Sequence, residues 1–308
     1  MLAVHAFDTY LRESRIPVRN EIPLAPLTTM KVGGPAEYLV EPRDEDELAR
    51  VLRVARECEV PVRVLGSGAN LLIRDEGVRG AVIRLSRLSQ RDGLHIQAGY
   101  NLTRLVKETV SEGLAGLEVV AGVPATLGGA VRMNANAYGG ELARVLEWVD
   151  VAGPAGTERR VPEQLGFTYR RSSLRAGEVV ARASFALAPA ASDEVKATLA
   201  DMRARRKAAQ PSGIKTFGST FKNPDDPRAE NRTAGQLLDA ADCRGLRIGS
   251  AGFSTKHANF IENHGNATTA DVVAVMAEGR RRVKERFGVE LEPEVQALGP
   301  VEFVWKRG

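Results

Sequence analysis

Five small or polar residues, Gly66, Ser67, Gly68, Ala69 and Asn70, come directly after an apolar run that ends at Leu65. Residues this small let successive backbone N–H groups turn toward one anion and let that anion come close. A second stretch of the same character is AGVPATLGGAVRMNANAYGG, with Gly122, Gly128, Gly129, Gly139 and Gly140, and with Pro124 and Met133 among them. Either loop alone could be a tight turn without a ligand. Two together are suited to grip an extended diphosphate from both sides. The segment beyond the first loop restricts the kind of site. A doubly wound dinucleotide fold opens its glycine loop directly into a helix, so that the pyrophosphate meets the helix N-terminus. Here the loop opens into LLIRDEGVRGAVIRL, β-branched, broken by two glycines and without helical periodicity. The acid expected at a strand end about 20 residues on is also missing. A nest of backbone N–H groups is therefore the better anion holder than a helix dipole.

The elements that carry these loops are read from periodicity. DEDELARVLRVARECEV places Leu48, Val51, Leu52 and Ala55 on one helical face, with Asp44 at the N-cap and Glu47 three residues on. VPVRVLG is a buried strand leading into the first loop, and NLLIRD, GVRGAVIRLS and GLHIQAGY are strands beyond it. NLTRLVKETVSEG is a short helix with Leu102, Leu105, Val106 and Val110 inward and Gly113 at its end. Strands return in LEWVDVAG, TERRVP and EVVARASFALAP. A helix capped by Ser192 carries Val195, Leu199 and Met202 on one side until Pro211 and Gly213 break it. The last long helix, TADVVAVMAEGRRRVKERFG, closes at Gly288, and the tail VELEPEVQALG is extended. The pattern is α+β in several parts.

Composition narrows the function classes. The 308 residues are 43% apolar and 5% aromatic, so cores must lean on Val, Leu and Ala. Lys and Arg total 43 against 39 Asp and Glu. That mild excess, with no run of five like charges and no aromatic-plus-basic stripe, weighs against nucleic acid and suits a small anionic substrate. Cys58 and Cys243 form no CxxC or Cys/His cluster, so no metal site is expected, and two unpaired thiols suit a reducing compartment. The N-terminus MLAVHAFDTYLRES carries acid and no long apolar core, so no signal peptide is expected. No apolar run reaches the ~18 residues that span a bilayer. We expect a cytoplasmic monomer that uses no membrane.

TTMKVGGPAEYLVEP, VLGSGANLLIRD and GVPATLGGAVRMNANAYGGE resemble the flavin-binding module of the vanillyl-alcohol oxidase and cresol methylhydroxylase group. FTYRRSS, GSTFKNP and LEPEVQALG come after them in order, and from about residue 25 to residue 300 the chain is similar to the UDP-N-acetylenolpyruvoylglucosamine reductase (MurB) family. The resemblance implies an α+β architecture: a two-lobed FAD-binding module of the vanillyl-alcohol oxidase type plus a smaller C-terminal α+β substrate-binding domain. Residues 1–86 would form the first lobe, joined by the tail 290–308. Residues 87–191 would form the second lobe and 192–289 the substrate-binding domain. The module implies FAD, contacted by Gly66, Ser67, Gly68, Ala69, Asn70 and Leu71, and by Gly122, Val123, Pro124, Thr126, Gly128, Gly129 and Ala130. No His or Cys stands in the first loop, so the flavin should be non-covalent.

The implied reaction is the NADPH-dependent reduction of UDP-N-acetylglucosamine enolpyruvate to UDP-N-acetylmuramate, a step in peptidoglycan precursor synthesis on which cell shape and division depend. Hydride from reduced FAD reaches the enolpyruvyl β-carbon, and Ser219 protonates the α-carbon. Arg170 would meet the substrate carboxylate with a fixed cationic fork. Glu294, protonated, would donate a hydrogen bond or help supply the proton. Tyr169, Lys222, Asn223 and His257 fall at or beside substrate-contacting positions of the family. Lys215 and the cluster Arg203, Arg205, Arg206 and Lys207 stay open between phosphate contact and solvated surface. The chain departs from the family pattern at Tyr100, Asn101, Ala125 and Asn136, where smaller residues or glycine are usual. The 49 positions from Arg170 to Ser219 resemble the shorter family branch, which lacks an extra tyrosine loop over the substrate. The alternative is an FAD-dependent oxidase or dehydrogenase of a sugar or alcohol on the same module; GSTFKNP with a distant LEPEV argues against it.

Overall fold

The computed structural model describes residues 2–137, 140–303 and 305; Gly139 and the side chain of Ser192 lie outside the described residues. Contacts gather the chain into two compact units, each assembled from separated stretches. The first comprises Met1–Ile22, Glu37–Ser67 and Arg79–Arg206, the second Pro23–Ala36, Gly68–Val78 and Lys207–Gly308. Helices and strands are mixed in both, as the α+β reading expects.

The first unit is built on two sheets. One runs Val18–Pro23, Pro35–Val40, Val78–Arg84, Val62–Leu65 across its width. The other runs Gly156–Arg160, Leu146–Gly153, Val179–Phe185, His95–Gln97, Arg91–Asp92. Around them lie α1 (Leu2–Glu13), α2 (Glu45–Glu57), α3 (Leu102–Ser111), α4 (Leu127–Arg132) and α5 (Ser192–Ala209). α2 starts as its sequence predicts: the Asp44 carboxylate accepts from Glu47 N at 2.7 Å, and Leu48, Val51, Leu52 and Ala55 are buried. The Glu47 carboxylate reaches back one residue past the cap, accepting from Arg43 N at 2.8 Å. α3 is capped by Asn101, whose Oδ1 accepts from Arg104 N at 2.9 Å. Tyr100, 4% exposed, donates its hydroxyl to Glu108 at 2.6 Å. Two of the departures from the family pattern thus build the start of one helix.

Strand Val62–Leu65 corrects one expectation. It pairs in parallel with Val78–Arg84 on one side only, at the edge of its sheet. Leu65 is buried, but Val62 and Val64 are half-buried and Arg63 is exposed. An edge strand has one face and one flank to shed, so its apolar run reads more buried than it is.

The second unit packs α6 (Ala234–Ala240) and α7 (Thr269–Phe287) with a small antiparallel sheet, Arg247–Ile248, Ala251–Phe253 and Ile261–Asn263. Phe217, Phe221, Leu238, Phe253 and Met276 fill its core. The extended tail contributes Gln296–Leu298, which pairs in parallel with Leu71–Ile73. The tail therefore returns to the strand just after the first glycine loop. The compact units otherwise cross the boundaries read from sequence. Residues 79–206 stay together without a break at 86/87. The first unit continues past residue 191 because Val195 and Leu199 of α5 are buried in its core.

α7 is held at both ends. Thr268 and Asp271 form a capping box, and Gly288, with φ +70°, closes the last turn by donating to Lys284 O at 2.8 Å. Asp75 adds a cap from elsewhere in the chain: both its carboxylate oxygens accept from Thr269 N at 2.9 Å. A carboxylate at a helix start satisfies orphan donors and meets the positive end of the dipole. Asp75→Ala should lower stability by about 1–2 kcal/mol in urea denaturation at neutral pH. An unchanged midpoint would show that water replaces the carboxylate at no loss. Among the described residues no helix is long and apolar enough to cross a membrane.

Candidate active site

The two glycine stretches meet inside the first unit. Ser67 Oγ donates to Pro124 O at 2.8 Å. A Cβ on Gly66 would lie 2.5 Å from Thr126 Oγ1, so only glycine admits this approach. Thr126 opens α4, which the glycines had hidden from periodicity. Leu127 N donates to Tyr100 O at 2.9 Å and Gly128 N to Ala98 O at 2.8 Å, fixing the turn. Gly128 and Ala130 are buried; Gly122 and Val123 are half-buried. Gly129 is exposed, and a Cβ there would meet only Thr126 Oγ1, at 3.5 Å, so its outer side is open.

The first loop is where the chain leaves the first unit for the second. Gly68 has φ +67°, and a Cβ on it would come within 2.4 Å of Leu27 O. Both facts require glycine. Thr29 N donates to Gly68 O at 3.1 Å, Gln296 N donates to Asn70 O at 3.0 Å, and Leu71 begins the strand that pairs with Gln296. Among the described residues, none of the four consecutive N–H groups from Ser67 to Asn70 donates a hydrogen bond. Consecutive unbonded donors in a loop free of bulky side chains are the chemistry of a diphosphate holder. The flavin diphosphate fits this donor set, and the loop offers no His or Cys to bond a flavin covalently.

Within the second unit, Ser219 and Glu294 lie in neighbouring chain passes. Ser219 is bridged to Phe260 on one side and Phe221 to Pro293 on the other. Glu294 N donates to Thr220 O at 2.8 Å and Lys222 N to Glu292 O at 2.9 Å. Ser219 is half-buried and Glu294 is 8% exposed. The Asn70 amide donates to Glu294 O at 3.2 Å, and Gln296 Nε2 to the same oxygen at 2.9 Å. The Asn70 side chain thus ties the first glycine loop to the main chain of Glu294.

The substrate candidates of this unit have protein partners. Lys222 Nζ is 3.2 Å from Glu292, and Asn223 Oδ1 accepts from Ala234 N at 3.1 Å, at the start of α6. Lys215 is exposed. His257 is half-buried, its ring 4.8 Å from that of Phe260, and its Nδ1 accepts from Asn259 N at 3.2 Å. Burial, with the charge of Arg244 second, holds the His257 pKa below the ordinary histidine value. The unfolded chain therefore takes up this proton first as pH falls. The contribution to stability is complete above about pH 6.5 and declines as pH drops toward the lower folded value. Denaturation at pH 7.5 and 5.5 should show a smaller loss for His257→Gln than for the unaltered chain; equal losses would assign the pH dependence elsewhere.

Arg170 belongs to the first unit, at the tip of a tight turn. Thr168 N donates to Arg171 O at 3.0 Å and Arg171 N to Thr168 O at 3.1 Å. Arg170 has φ +57°, a conformation that costs a non-glycine residue about 1–2 kcal/mol. Its Nη1 donates to Asn136 O at 3.2 Å, and its Cζ lies 5.6 Å from the Tyr169 ring centroid. Tyr169 is 43% exposed. Fully buried Asn134 ties the turn down, donating to Thr168 O at 3.3 Å and accepting from Ala143 N at 3.2 Å. Asn134 escaped the sequence reading. The signal was faint: an asparagine beside the glycine stretch, of the type that tolerates its φ of +40°. The side chains of the basic cluster on α5 have different surroundings. Arg205 pairs with Asp201 at 2.8 Å, Arg203 is exposed, and Arg206 lies along the second glycine stretch, its Cδ 2.9 Å from where a Cβ on Gly122 would stand.

Comparison with known proteins covers nearly the whole chain. Residues 36–162 match the FAD binding domain, and residues 210–298 match the UDP-N-acetylenolpyruvoylglucosamine reductase C-terminal domain. A UDP-N-acetylenolpyruvoylglucosamine reductase from Gluconobacter oxydans is 43% identical over 90% of this chain and 90% of its own. One from Anaeromyxobacter sp. (strain Fw109-5) is 44% identical over 94% of this chain and 91% of its own. The crystal structure of the reductase from Thermus caldophilus superposes with a TM-score of 0.80 at 38% identity, covering 92% of this chain and 99% of that one. With a glycine loop of unbonded donors inside the matched flavin domain, and Ser219 and Glu294 in neighbouring passes inside the matched C-terminal domain, the chain belongs to the UDP-N-acetylenolpyruvoylglucosamine reductase family of FAD-dependent oxidoreductases.

Proposed function

We propose that the chain reduces UDP-N-acetylglucosamine enolpyruvate to UDP-N-acetylmuramate with NADPH as reductant, and that Ser219, Arg170 and Glu294 carry the chemistry. The observation that supports this most is the backbone bond from Glu294 N to Thr220 O, 2.8 Å. It draws a hydroxyl and a buried carboxyl from distant sequence into neighbouring passes. FAD, held by the donors of Ser67–Asn70 and by the Gly122–Ala130 stretch, supplies when bound a hydride for the enolpyruvyl β-carbon.

Negative charge then develops at the α-carbon and spreads into the adjoining carboxylate. Arg170 meets that carboxylate with a planar fork of donors, whose turn Asn134 holds in place. Ser219 Oγ gives its proton to the α-carbon. A hydroxyl is a weak acid toward neutral groups, but a carbanionic centre is basic enough to take its proton. Glu294, in its protonated form, donates a hydrogen bond toward the same carboxylate. Tyr169, Lys222, Asn223 and His257 orient the nucleotide sugar; Lys222 and Asn223 exchange Glu292 and the α6 start for it. In this division of labour, residues 1–86 with 290–308 and residues 87–191 form the flavin-binding lobes, with Tyr169, Arg170 and Glu294 as their substrate contacts, and 192–289 form the substrate-binding domain. We place the enzyme as a monomer among the cytoplasmic steps of peptidoglycan precursor synthesis, on which cell shape and division depend; Cys58 and Cys243, both free thiols, suit a reducing compartment.

Steady-state turnover tests the reading. NADPH consumption should match UDP-N-acetylmuramate formation one for one, with no oxygen uptake. Oxygen uptake in step with NADPH, and no new nucleotide sugar, would make the chain an oxidase.

A further inference from the structure

In a regular strand, successive N–H groups point to opposite edges. Those of Thr220 and Phe221 point to one residue. Thr220 N donates to the main-chain oxygen of Asn259 at 2.8 Å, and Phe221 N donates to its side-chain Oδ1 at 2.9 Å. Asn259 Nδ2 donates to Phe221 O at 2.9 Å. Thr220 O, meanwhile, faces the other edge and accepts from Glu294 N. The chain therefore carries a local bulge immediately after Ser219, and one side-chain amide satisfies both polar groups of the displaced residue. Asn259 is 4% exposed, so water does not compete for these bonds. Asn259 is itself held, its N–H donating to His257 Nδ1 at 3.2 Å. Bulges re-aim the neighbouring side chain and are common beside active sites.

We infer that Asn259 is a positioning residue for proton delivery: its side-chain amide holds the bulge at Thr220–Phe221 that aims Ser219. The inference rests on the reading of Ser219 as the proton donor. Only an amide of this length fits. An aspartate would keep the acceptor for Phe221 N but set a carboxylate against Phe221 O. An alanine would leave a buried N–H and a buried C=O unpaired. Since a misplacement on the order of 1 Å can cost about 10²-fold in rate, the defect should fall on the step that Ser219 performs and on no other.

The test is the pair of half-reactions in the FAD-loaded full chain, measured anaerobically for Asn259→Ala, Ser219→Ala and the double variant. Flavin reduction by NADPH should stay within about twofold of the unaltered enzyme. Reoxidation by the enolpyruvyl nucleotide should fall roughly 10²-fold for Asn259→Ala, and the double variant should be no slower than Ser219→Ala alone, because coupled residues are not additive. If Ser219→Ala leaves reoxidation intact, the reading of Ser219 fails. If Ser219→Ala slows reoxidation but Asn259→Ala does not, or the two losses multiply, the inference fails and the reading stands. Should Asn259→Ala not retain flavin, Asn259→Gln, which keeps the amide, is measured in its place with the same split expected. Loss of flavin from both variants would overturn the inference, making Asn259 a residue of the fold alone.

Discussion

Ser219→Ala should leave the reduction of bound flavin by NADPH near its normal rate and slow flavin reoxidation by the enolpyruvyl nucleotide about 10²–10⁴-fold. The asymmetry comes from what Oγ does and does not hold. Ser219 is tied to Phe260 by a backbone bridge, which alanine preserves. Among the described residues no structural bond depends on its hydroxyl. The variant should therefore fold with a stability change within roughly 0.5 kcal/mol. Only the second half-reaction has a proton to deliver to carbon, so only that half should suffer. Stopped-flow absorbance of the flavin, with each substrate in turn, separates the two. Equal slowing of both halves would point to a displaced flavin and remove Ser219 from proton delivery.

Gly66→Val should yield a protein that retains its fold but holds FAD about 10–100-fold more weakly, from an overpacking cost of about 1–3 kcal/mol placed where the loops meet. A Cβ at 66 would stand 2.5 Å from Thr126 Oγ1, and a valine adds two methyl groups beyond it. Something must give. The contact joins two loops, one of which is also held by the bond from Ser67 Oγ to Pro124 O. Forcing them apart displaces the unbonded N–H groups that begin at Ser67. Thermal melting of the flavin-free protein should fall by no more than about 2–4 °C per kcal/mol of that cost, and the loss in flavin affinity is read by equilibrium dialysis. Full yellow colour with unaltered affinity would show that the loops take no part in flavin binding.

Much of this was legible in the chain, and the misses have physical causes. α2, α3 and α7 declare themselves because their caps and apolar faces are local: Asp44, Asn101 and Gly288 stand where helix ends need them. α4 does not, because Gly128 and Gly129 are poor helix formers, and Gly128 is required by a close approach, a Cβ there standing 2.9 Å from that of Ala98. The compact units could not be read locally. The parallel pairing of Gln296–Leu298 with Leu71–Ile73 joins segments more than 200 residues apart, and nothing in either segment names its partner. The same holds for the supports of the site. Ser219, Arg170 and Glu294 are candidates because each stands in a motif of the ordered series. Asn259, Asn134 and Asp75 act on backbone groups brought near only by the tertiary fold, so their types alone say little. Composition alone pairs the second glycine loop with the first, and the bond from Ser67 Oγ to Pro124 O joins them.

The most direct measurement is an anaerobic titration of the purified yellow protein. NADPH should bleach the flavin band, and one equivalent of UDP-N-acetylglucosamine enolpyruvate per FAD should restore it, with UDP-N-acetylmuramate formed in the same amount. A bleached flavin that ignores the enolpyruvyl nucleotide and regains its colour only when oxygen is admitted would contradict the proposed reduction at its centre.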